Sequence, residues 1–521
     1  MTDEQGANST ETRSSTARSA VSVGSGILAS RFTGFFRDII IAYFFGTGIA
    51  AGAYAAALRI PNVIRNLLGE GALSAAFIPV YSALLESGDE TSARRLARAV
   101  LGFVIVLAGL LSGLGILLAP ILTRVIVPGY GAESTELTTT MVRILFPMAG
   151  IMIVAAWCLG ILNSHRRFFL PYVAPVAWNL AQITGLLVGS RLGWEPLIYV
   201  LAWSTLAGSV LQLAVQLPAA RSLARTLRPA WDQAWEPARR VTRNMMPVAA
   251  SQAVFQVSSL LDVFLVSLLL SPETALAGLY YAQRIAYLPL ALFATSVTAA
   301  ALPEMSRAAQ AEALRSRVTE GFVRILFFVL PAALVLLLFG DLVIGLLFER
   351  GEFGPSSTSL VATILAAYSI GLVASSSVKL FASAFHAMQD TRTPLRYTTI
   401  AVTTGVSLGA AGMFWMKGAG YGATAATGLV LGGALGAWLN LALLWRGLRH
   451  RLGPLFDPQT WRGINRIVLG GVVAALAAVA ARALLDGWLQ PDSLATRALM
   501  LVAVLVAGGI PYLAIARRPA R

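Results

Sequence analysis

Cysteine and histidine are scarce in this sequence, and their scarcity excludes several kinds of chemistry. The single cysteine, Cys158, lies inside an apolar run, so an intramolecular disulfide is impossible and a small packing residue is the simpler interpretation. The three histidines, His165, His386 and His450, fall on different segments and form no Cys/His cluster. The sequence therefore gives no support for a metal site or a nucleophilic dyad. It also lacks the G-x-x-x-x-G-K-S/T loop, which argues against ATP hydrolysis.

Charged residues are scarce too. They make up 12% of the 521-residue chain, whereas 57% of it is hydrophobic and its mean hydropathy is +0.71. This composition predicts that most of the chain lies within a lipid bilayer. Because a bilayer core of about 30 Å needs about 20 apolar residues per helix, the apolar runs predict about fourteen transmembrane helices. The runs do not alternate with period two, which favours an all-α polytopic membrane protein over a β-barrel.

The charge that is present is mostly positive, with 40 Lys and Arg against 25 Asp and Glu and a net charge of +15. The cations concentrate in alternate loops, near residues 94–98, 166–167, 221–243, 307–317, 392–396 and 446–466. By the positive-inside rule these loops and both termini are cytoplasmic. Charge placed this way argues against a nucleic-acid partner. The polar, Ser/Thr-rich residues 1–19 predict a disordered cytoplasmic tail.

Three landmarks recur along the chain at an offset of about 221 to 224 residues. "AAFIPVYSA" around Pro79 resembles "AAALPEMSRA" around Pro303, "LLAPILTRVIVPGYG" resembles "LFGDLVIGLLFERGEF", and Pro171 corresponds to Pro394. The repeat predicts two six-helix lobes of the same orientation, related as parallel repeats. The N-lobe (TM1–TM6) spans 20–220 and the C-lobe (TM7–TM12) spans 242–447.

Two segments lie outside the repeat. Residues 221–241 form a basic stretch with Trp231 and Trp235 that predicts a cytoplasmic linker along the membrane surface, with a partner-binding role as the alternative. Residues 448–521 hold an added helix pair, TM13–TM14, and the C-terminal tail.

Several charges lie inside predicted membrane helices, where each costs about 2.5 to 3.5 kcal/mol. The charged residues of the first two segments are Arg31, Arg37 and Asp38 in the first and Arg59, Arg65 and Glu70 in the second. The second half adds Asp262 in the seventh segment, Arg284 in the eighth and Lys379 in "ASSSVKLFASAF". Any one of them could snorkel to an interface or form a structural ion pair. Cations outnumber anions in the group, however, and guanidinium forks suit phosphate. The surplus predicts an anion-receiving cavity between the halves.

Helix flexibility and packing are also indicated by Gly and Pro. Pro61, Gly69 and Gly71 in the second segment and Pro289 in the eighth predict helices that can bend. In "GYGATAATGLVLGGALGAW", Gly428, Gly432 and Gly436 are four residues apart, which predicts close helix packing.

Asp262 is a lone acid in the seventh segment, one turn after Ser258 and Ser259. It is a candidate for monovalent-cation coupling, by sodium or a proton, and membrane-potential drive is the alternative energy source. A carboxylate satisfied by hydroxyl groups or paired with Lys379 remains open as a structural interpretation.

The sequence resembles the MurJ (MviN) lipid II flippase family of the multidrug/oligosaccharidyl-lipid/polysaccharide exporter superfamily. The resemblance rests on "SRFTGFFRD", "FFGTG", "LRIPNVIRNLLGEGALSAAFIPV", "ILNSHRRF", "YYAQRI" and "QDTRTP". It implies fourteen helices and transport of the undecaprenyl-linked peptidoglycan precursor from the inner to the outer leaflet of a bacterial inner membrane. It also implies that the last helix pair forms a groove for the lipid tail.

The resemblance further implies a set of substrate-binding residues around a central cavity, which are Arg31, Arg37, Asp38, Arg65, Glu70 and Arg284. The sequence departs from the family at Gly52, where Asp is frequent, at Gln283, where an acid is common, and at Tyr287, where Glu is common. These departures put gating ion pairs at those positions in doubt.

The resemblance implies lipid II and membrane lipids as partners, with other cell-wall synthesis proteins as possible partners and a monomeric chain. Rival functions are a flippase for another undecaprenyl-diphosphate-linked glycan and a multidrug antiporter of the same superfamily. The antiporter should have an acidic or apolar pocket for cationic drugs. A membrane-embedded glycosyl transferase should gather carboxylates and metal ligands in a loop, which this sequence does not.

Overall fold

The computed structural model describes residues 3–225, 228–298, 301, 305, 311–489 and 493–517. Every regular element in this part of the chain is helical. The first helices are α1 (Asp3–Phe45), α2 (Ile49–Ile64), α3 (Ser74–Glu86), α4 (Glu90–Ile126), α5 (Ala132–Ser164), α6 (Phe169–Val173), α7 (Pro175–Arg191), α8 (Leu197–Ala224) and α9 (Glu236–Ser267). They are followed by α10 (Pro272–Pro289), α11 (Ala311–Leu338), α12 (Gly340–Phe348), α13 (Pro355–Ala387), α14 (Arg392–Gly418), α15 (Ala426–Leu452), α16 (Pro458–Asp486) and α17 (Leu494–Ala516).

Eleven helices of the described residues are long and apolar enough to cross a membrane, counting α2 through α3 as one. The all-helical membrane prediction is therefore confirmed, whereas the count of fourteen stays a prediction. The other three predicted segments lie on α1, α9 and α10, which are not among the eleven. These are the helices that carry Arg37, Asp262 and Arg284, because intramembrane charge makes a segment less apolar.

Residues 3–19, which we expected to be a disordered tail, continue α1 as helix in the structure. The segment contains Ala, Glu, Gln and Arg, which favour helix, and it has no proline to end one.

The chain forms two compact units. The first comprises residues 1–41 and 48–268, and the second comprises residues 42–47 and 269–521. Helix α9 belongs to the first unit, where it packs on α3 and α4. The lobe boundaries predicted from the repeat concern internal similarity and stay predictions. One of the three landmarks, the segment around Pro303, lies outside the described residues.

The first unit has a core of aromatic and aliphatic side chains around α5. Trp157 is fully buried and its Nε1 donates to the carbonyl oxygen of Ala97 at 3.1 Å, which joins α5 to α4. Cys158 is also fully buried in this core, which includes Phe77 of α3. The prediction of Cys158 as a packing residue is confirmed.

Two predicted helix irregularities appear as π-helical stretches. Residues Arg65–Leu73, which contain Gly69 and Gly71, join α2 to α3, and Leu290–Ala294 follows directly after Pro289. A π-helical turn widens the helix and leaves part of its backbone ladder out of register. Pro cannot donate the intrahelical hydrogen bond and Gly stabilises the helix poorly, so both positions deform readily.

The linker follows the N-terminal half of α4. The backbone N–H of Ala230 donates to the carbonyl oxygen of Arg98 at 3.0 Å, and Arg95 binds Asp232 at 2.6 Å. The Arg95 guanidinium also lies 4.5 Å from the centre of the Trp235 ring. The described part of the linker is thus fixed to the first unit by backbone and side-chain contacts.

The Gly-rich sequence of α15 packs against α14 at close range. A Cβ atom added at Gly432 would lie 2.2 Å from the Cα of Gly409, and one added at Gly436 would lie 2.7 Å from the Ala401 carbonyl oxygen. The prediction that these glycines permit close packing is confirmed.

The C-terminal helices α16 and α17 pack on each other and on the second unit. Arg482 donates to Asp341 at 2.8 Å, and Arg497 donates to Glu349 at 2.6 Å. At the other end of α17, the Tyr512 hydroxyl donates to the Phe327 carbonyl oxygen at 2.6 Å. The added pair is therefore held to α11 and α12 by specific polar contacts as well as by apolar packing.

Side chains cap two of the long helices outside the membrane-spanning segments. Asp89 accepts from the Ser92 N–H at the start of α4, and Asp457 accepts from the Thr460 N–H at the start of α16. These hydrogen bonds hold the pKa of Asp89 and the pKa of Asp457 below their usual value, because they favour the charged carboxylate.

Candidate functional site

Arg37 and Asp38 form a buried ion pair on α1. The Nε and Nη2 atoms of Arg37 both donate to Oδ1 of Asp38, at 3.1 and 2.7 Å. Only 4% of Arg37 and 3% of Asp38 is exposed. A buried pair of this kind is stable only when further hydrogen bonds satisfy its polar atoms. The structural ion pair that the sequence left open as an alternative is thus present at Arg37.

Asn179 of α7 provides the next contact of this pair. Its Oδ1 accepts from Nη1 of Arg37 at 2.9 Å, and its Nδ2 donates to the Ser30 carbonyl oxygen at 3.0 Å and to Thr33 Oγ1 at 3.1 Å. The ring of the adjacent Trp178 lies 5.0 Å from the Arg37 guanidinium. Helix α7 therefore fixes both the position and the orientation of Arg37.

Sequence reasoning missed a polar network that continues from this contact. The Tyr54 hydroxyl donates to Gln182 Oε1 at 3.2 Å and lies 3.0 Å from Thr205 Oγ1, and all three side chains are buried. The available signal was "PVAWNLAQITG", an apolar run in which Asn179 and Gln182 are three residues apart and so share a helix face.

The other predicted residues of the first unit have different environments. Arg31 is exposed, and because it precedes Arg37 by six residues it lies about 120° away around α1. Arg65 is half-buried at the first residue of the π-helical stretch, and its Nη2 donates to Asn66 Oδ1 at 3.4 Å. The side chain of Glu70 lies outside the described residues.

Asp262 is half-buried on α9, and the positive charge that acts on its carboxylate is Arg59 of α2. Lys379, the partner considered from sequence, belongs to the second unit. The electrostatic interaction between Arg59 and Asp262 links two residues that sequence analysis had treated separately. Among the described residues, no group of three or more His, Cys, Asp or Glu side chains could hold a metal ion.

In the second unit, Arg284 is exposed on α10 and its guanidinium lies 5.0 Å from the centre of the Tyr280 ring. Gln283 and Tyr287, two of the residues that depart from the family pattern, lie one turn apart on the same helix. Gln283 Nε2 donates to the Tyr287 hydroxyl at 3.2 Å. A neutral hydrogen bond therefore occupies positions where the resemblance suggested acidic residues. At the third departure, the Gly52 carbonyl oxygen accepts from the Tyr130 hydroxyl at 3.3 Å.

The family model described as "Lipid II flippase MurJ" matches residues 41–502 of this chain. The chain belongs to the MurJ family. A curated relative named "Probable lipid II flippase MurJ", from Rhizobium meliloti (strain 1021), is 34% identical over 514 residues, covering 95% of this chain and 92% of the relative. MurJ membership therefore extends over the first unit and the second.

Solved structures resemble this chain in fold. A structure described as "Lipid II flippase MurJ, inward closed conformation" gives a TM-score of 0.78 at 22% identity, covering 95% of this chain and 99% of that chain. An inward-facing multidrug resistance MATE family transporter gives a TM-score of 0.67 at 17% identity, covering 82% and 95%. The fold is thus that of MurJ and is shared with its MATE neighbours.

Proposed function

We propose that this chain is a flippase that moves lipid II, the undecaprenyl-diphosphate-linked peptidoglycan precursor, from the inner to the outer leaflet of a bacterial cytoplasmic membrane. The match of the MurJ family model over residues 41–502 carries the proposal. The chain would act as a transporter in cell-wall synthesis and would perform no catalysis.

In this proposal the head group is received by guanidinium groups in an Arg-lined central cavity and released by alternating access. The residues assigned to it are Arg31, Arg37, Arg65 and Arg284, with Asp38 and Glu70 as companions. A guanidinium donates two parallel hydrogen bonds to phosphate oxygens, which an ammonium group cannot do in one plane. The exposure of Arg31 and Arg284 supports the proposal, because an exposed guanidinium can meet a phosphate.

The membrane potential would favour the outward movement. Lipid II carries a diphosphate and peptide carboxylates, and moving one negative charge out of a negative cytosol is favoured by about 2.3 kcal/mol per 100 mV. No ATP-hydrolysing motif is needed for this step.

Asp262 is proposed to bind a sodium ion or a proton that resets the carrier. Its half-buried position supports the proposal, since a carboxylate partly removed from water gains from a bound cation. Arg59 opposes cation binding at Asp262, because the positive guanidinium that acts on this carboxylate repels a second cation. Occupancy of Asp262 would then depend on what Arg59 contacts.

The proposed substrate is tested by reconstitution. Purified chain in proteoliposomes should translocate lipid II and should translocate a different undecaprenyl-diphosphate-linked glycan poorly. Equal transport of both would favour the broader glycan-flippase function. Transport of a cationic drug with no movement of lipid II would favour the multidrug antiporter.

The proposed orientation places both termini in the cytoplasm, with the chain as a monomer that other cell-wall synthesis proteins can approach. Gly48 and Leu395 are exposed and are suited to cysteine labelling, while the native Cys158 is fully buried. A Gly48→Cys variant should react with a membrane-impermeant thiol reagent from the periplasm, whereas Leu395→Cys should react only after the membrane is opened. The reverse pattern would invert the orientation.

A further inference from the structure

A cavity of about 410 Å³, the α8 cavity, lies along α8 in the first unit, next to the turn that joins α7 to α8. Three aromatic side chains, Trp194, Tyr199 and Trp203, line it together with the Glu195 carboxylate. The lining extends along the helix as far as Ala207. None of these residues belongs to the proposed head-group site, which uses α1, α2 and α10.

The spacing of residues along α8 explains this lining. Tyr199, Trp203 and Ala207 are four residues apart and so share one helix face. Trp194 comes from the preceding turn, where its backbone N–H donates to the Gly189 carbonyl oxygen at 2.9 Å. A Cβ atom added at Gly189 would lie 3.5 Å from the Trp194 ring, so the glycine lets this ring approach α7. The three rings are thus collected at one end of the α7–α8 pair.

Exposed aromatic side chains are common where a membrane protein meets the bilayer surface, so three rings alone would identify no ligand. The α8 cavity also contains a charge. Its eight described lining residues include one carboxylate and no Lys, Arg or His. Arg191, four residues before Glu195, is the last residue of α7 and is not part of this lining. The cavity therefore presents negative charge beside three aromatic rings, and this arrangement attracts a cation.

Glu195 is held in a defined position. Its Oε2 accepts from the backbone N–H of Leu197 at 3.0 Å, in the first turn of α8. A carboxylate can accept several hydrogen bonds, so this contact orients the group and leaves room for a donor from a ligand. Glu195, Trp194 and Trp203 are exposed, so a ligand can reach them from the surrounding membrane.

The α8 cavity runs from the polar turn into the apolar part of the helix. Ala207 lies eleven residues after Pro196, which is about 16 Å along a helix and about half of a bilayer core. A ligand that fills the cavity must therefore have a cationic head and an apolar tail, which is the chemistry of a lipid. We propose that the α8 cavity binds phosphatidylethanolamine, with its ammonium group on Glu195 and the Trp194 ring and an acyl chain along Trp203 and Ala207.

The hydrogen-bonding groups of the cavity favour a primary ammonium over other phospholipid head groups. A primary ammonium donates three hydrogen bonds, which the Glu195 carboxylate and the Tyr199 hydroxyl can accept. The quaternary ammonium of phosphatidylcholine has no N–H to donate, and the net negative charge of phosphatidylglycerol is repelled by Glu195. A cationic protein segment would leave the apolar half of the cavity uncovered. Assigning the lipid to the outer leaflet rests on the orientation proposed above.

Such a lipid would stabilise the helix pair that positions Arg37. On α8, the Thr205 carbonyl oxygen accepts from Trp178 Nε1 at 3.0 Å, and the Trp178 ring lies 5.0 Å from the Arg37 guanidinium. A ligand that binds only the folded state stabilises that state. Phosphatidylethanolamine should therefore raise the melting temperature of the chain.

The test is native mass spectrometry of the full chain in detergent with added phosphatidylethanolamine, phosphatidylcholine or phosphatidylglycerol that carry the same acyl chains. We expect phosphatidylethanolamine to bind most tightly. Glu195→Gln keeps an oxygen for the Leu197 N–H but loses the charge, so it should weaken phosphatidylethanolamine binding by about tenfold or more. The matched control is Glu136→Gln, which removes an exposed carboxylate from α5 and should bind as the unaltered chain does.

A second pair of variants separates the α8 cavity from aromatic residues elsewhere at the bilayer surface. Trp203→Leu removes an exposed ring that lines the cavity and should weaken phosphatidylethanolamine binding by about threefold. Trp415→Leu removes an exposed ring on α14, outside the cavity, and should have no effect.

Three results would each overturn the proposal. They are equal effects of the two Trp variants, unchanged binding in Glu195→Gln, and binding of phosphatidylcholine or phosphatidylglycerol as tight as that of phosphatidylethanolamine. Because binding is measured without transport, the outcome is independent of whether the chain flips lipid II.

Discussion

Nη1 of Arg37 donates to Oδ1 of Asn179 at 2.9 Å, across 142 residues of sequence. Asn179 is 3% exposed and uses its amide nitrogen to hold Ser30 and Thr33 of the same helix as Arg37. One amide side chain therefore sets the distance between α1 and α7 and the direction of the guanidinium. The position of the Arg37 guanidinium therefore depends on this contact.

Replacing Asn179 with Leu should destabilise the first unit and impair function. The change leaves Arg37 without one acceptor and two groups on α1 without a donor, and each buried unsatisfied group costs about 1 to 3 kcal/mol. Thermal unfolding in detergent and complementation of a flippase-deficient strain measure the two effects. Thr184→Ala is the control on the same helix, because Thr184 is exposed and bonds only to its own helix among the contacts described. Full activity and stability of Asn179→Leu would contradict the positioning role.

Lysine substitutions separate diphosphate recognition from generic positive charge. Arg37→Lys, Arg65→Lys and Arg284→Lys keep the charge but lose the fork, so each should fail to complement, whereas Arg59→Lys should complement. Membrane levels must be normal in all four. Full complementation by every Lys variant would leave the cavity cationic without specific phosphate recognition.

Among these variants Arg284→Lys is the most direct test. Arg37 bonds to Asp38 and Asn179, so its replacement also disturbs the folded unit. Arg284 is exposed and lies against the Tyr280 ring, so we expect little change in thermal stability when it becomes Lys. Loss of transport with unchanged stability would then report on the substrate.

Asp262→Asn should remove the dependence of transport on sodium or on pH. The amide keeps the size of the side chain but loses the charge that would hold a cation. Arg59→Gln should act in the opposite direction and lower the sodium or proton concentration needed for half-maximal transport, because it removes a competing positive charge. The measurement is lipid II translocation in proteoliposomes over a series of ion gradients. If Asp262→Asn keeps its full rate and its ion dependence, the coupling role is excluded.

Adjacent glycines on α15 should differ sharply when changed to alanine. A Cβ atom at Gly432 would lie 2.2 Å from the backbone of Gly409, so Gly432→Ala must push α14 and α15 apart and should cost about 1 to 3 kcal/mol. Gly433→Ala meets nothing within 4 Å and removes a flexible residue from a helix, so it should be neutral or stabilising. Equal melting temperatures for the two variants would contradict this close helix contact.

The partly buried ion pair of Arg497 and Glu349 should stabilise the C-terminal pair more than a surface pair does. These side chains are 18% and 14% exposed, and Glu349 also accepts from the Thr358 hydroxyl at 2.6 Å. Removing the guanidinium leaves the Glu349 carboxylate without its positive partner, so Arg497→Gln should lower the melting temperature. The control is Arg94→Gln, whose pair with Glu90 is exposed and is worth about 0 to 1 kcal/mol. An equal change in melting temperature for the two variants would show that the Arg497–Glu349 pair stabilises the protein no more than a surface pair does.

Much of the architecture was predictable from local properties of the chain. Apolar runs longer than a bilayer is thick must form helices, because backbone groups in lipid have no other partners. Spaced glycines predicted close helix packing, which occurs between α14 and α15, and Pro289 and the Gly69–Gly71 region predicted helices that can bend, at places where π-helical stretches occur. The buried position of Cys158 followed from its apolar neighbours.

The sequence by itself determined the membrane class, the positions of most helices and the identity of the intramembrane charges, because hydrophobicity and helix-breaking residues act over a few positions of chain. Only the tertiary structure decided which partner each charge has. Arg37 meets Asn179 from α7, Asp262 is acted on by Arg59 from α2, and Arg497 of α17 pairs with Glu349. These partners are between 142 and 203 residues apart, and the packing of whole helices brings them together. No local pattern encodes such pairings, since each depends on how two helix faces fit.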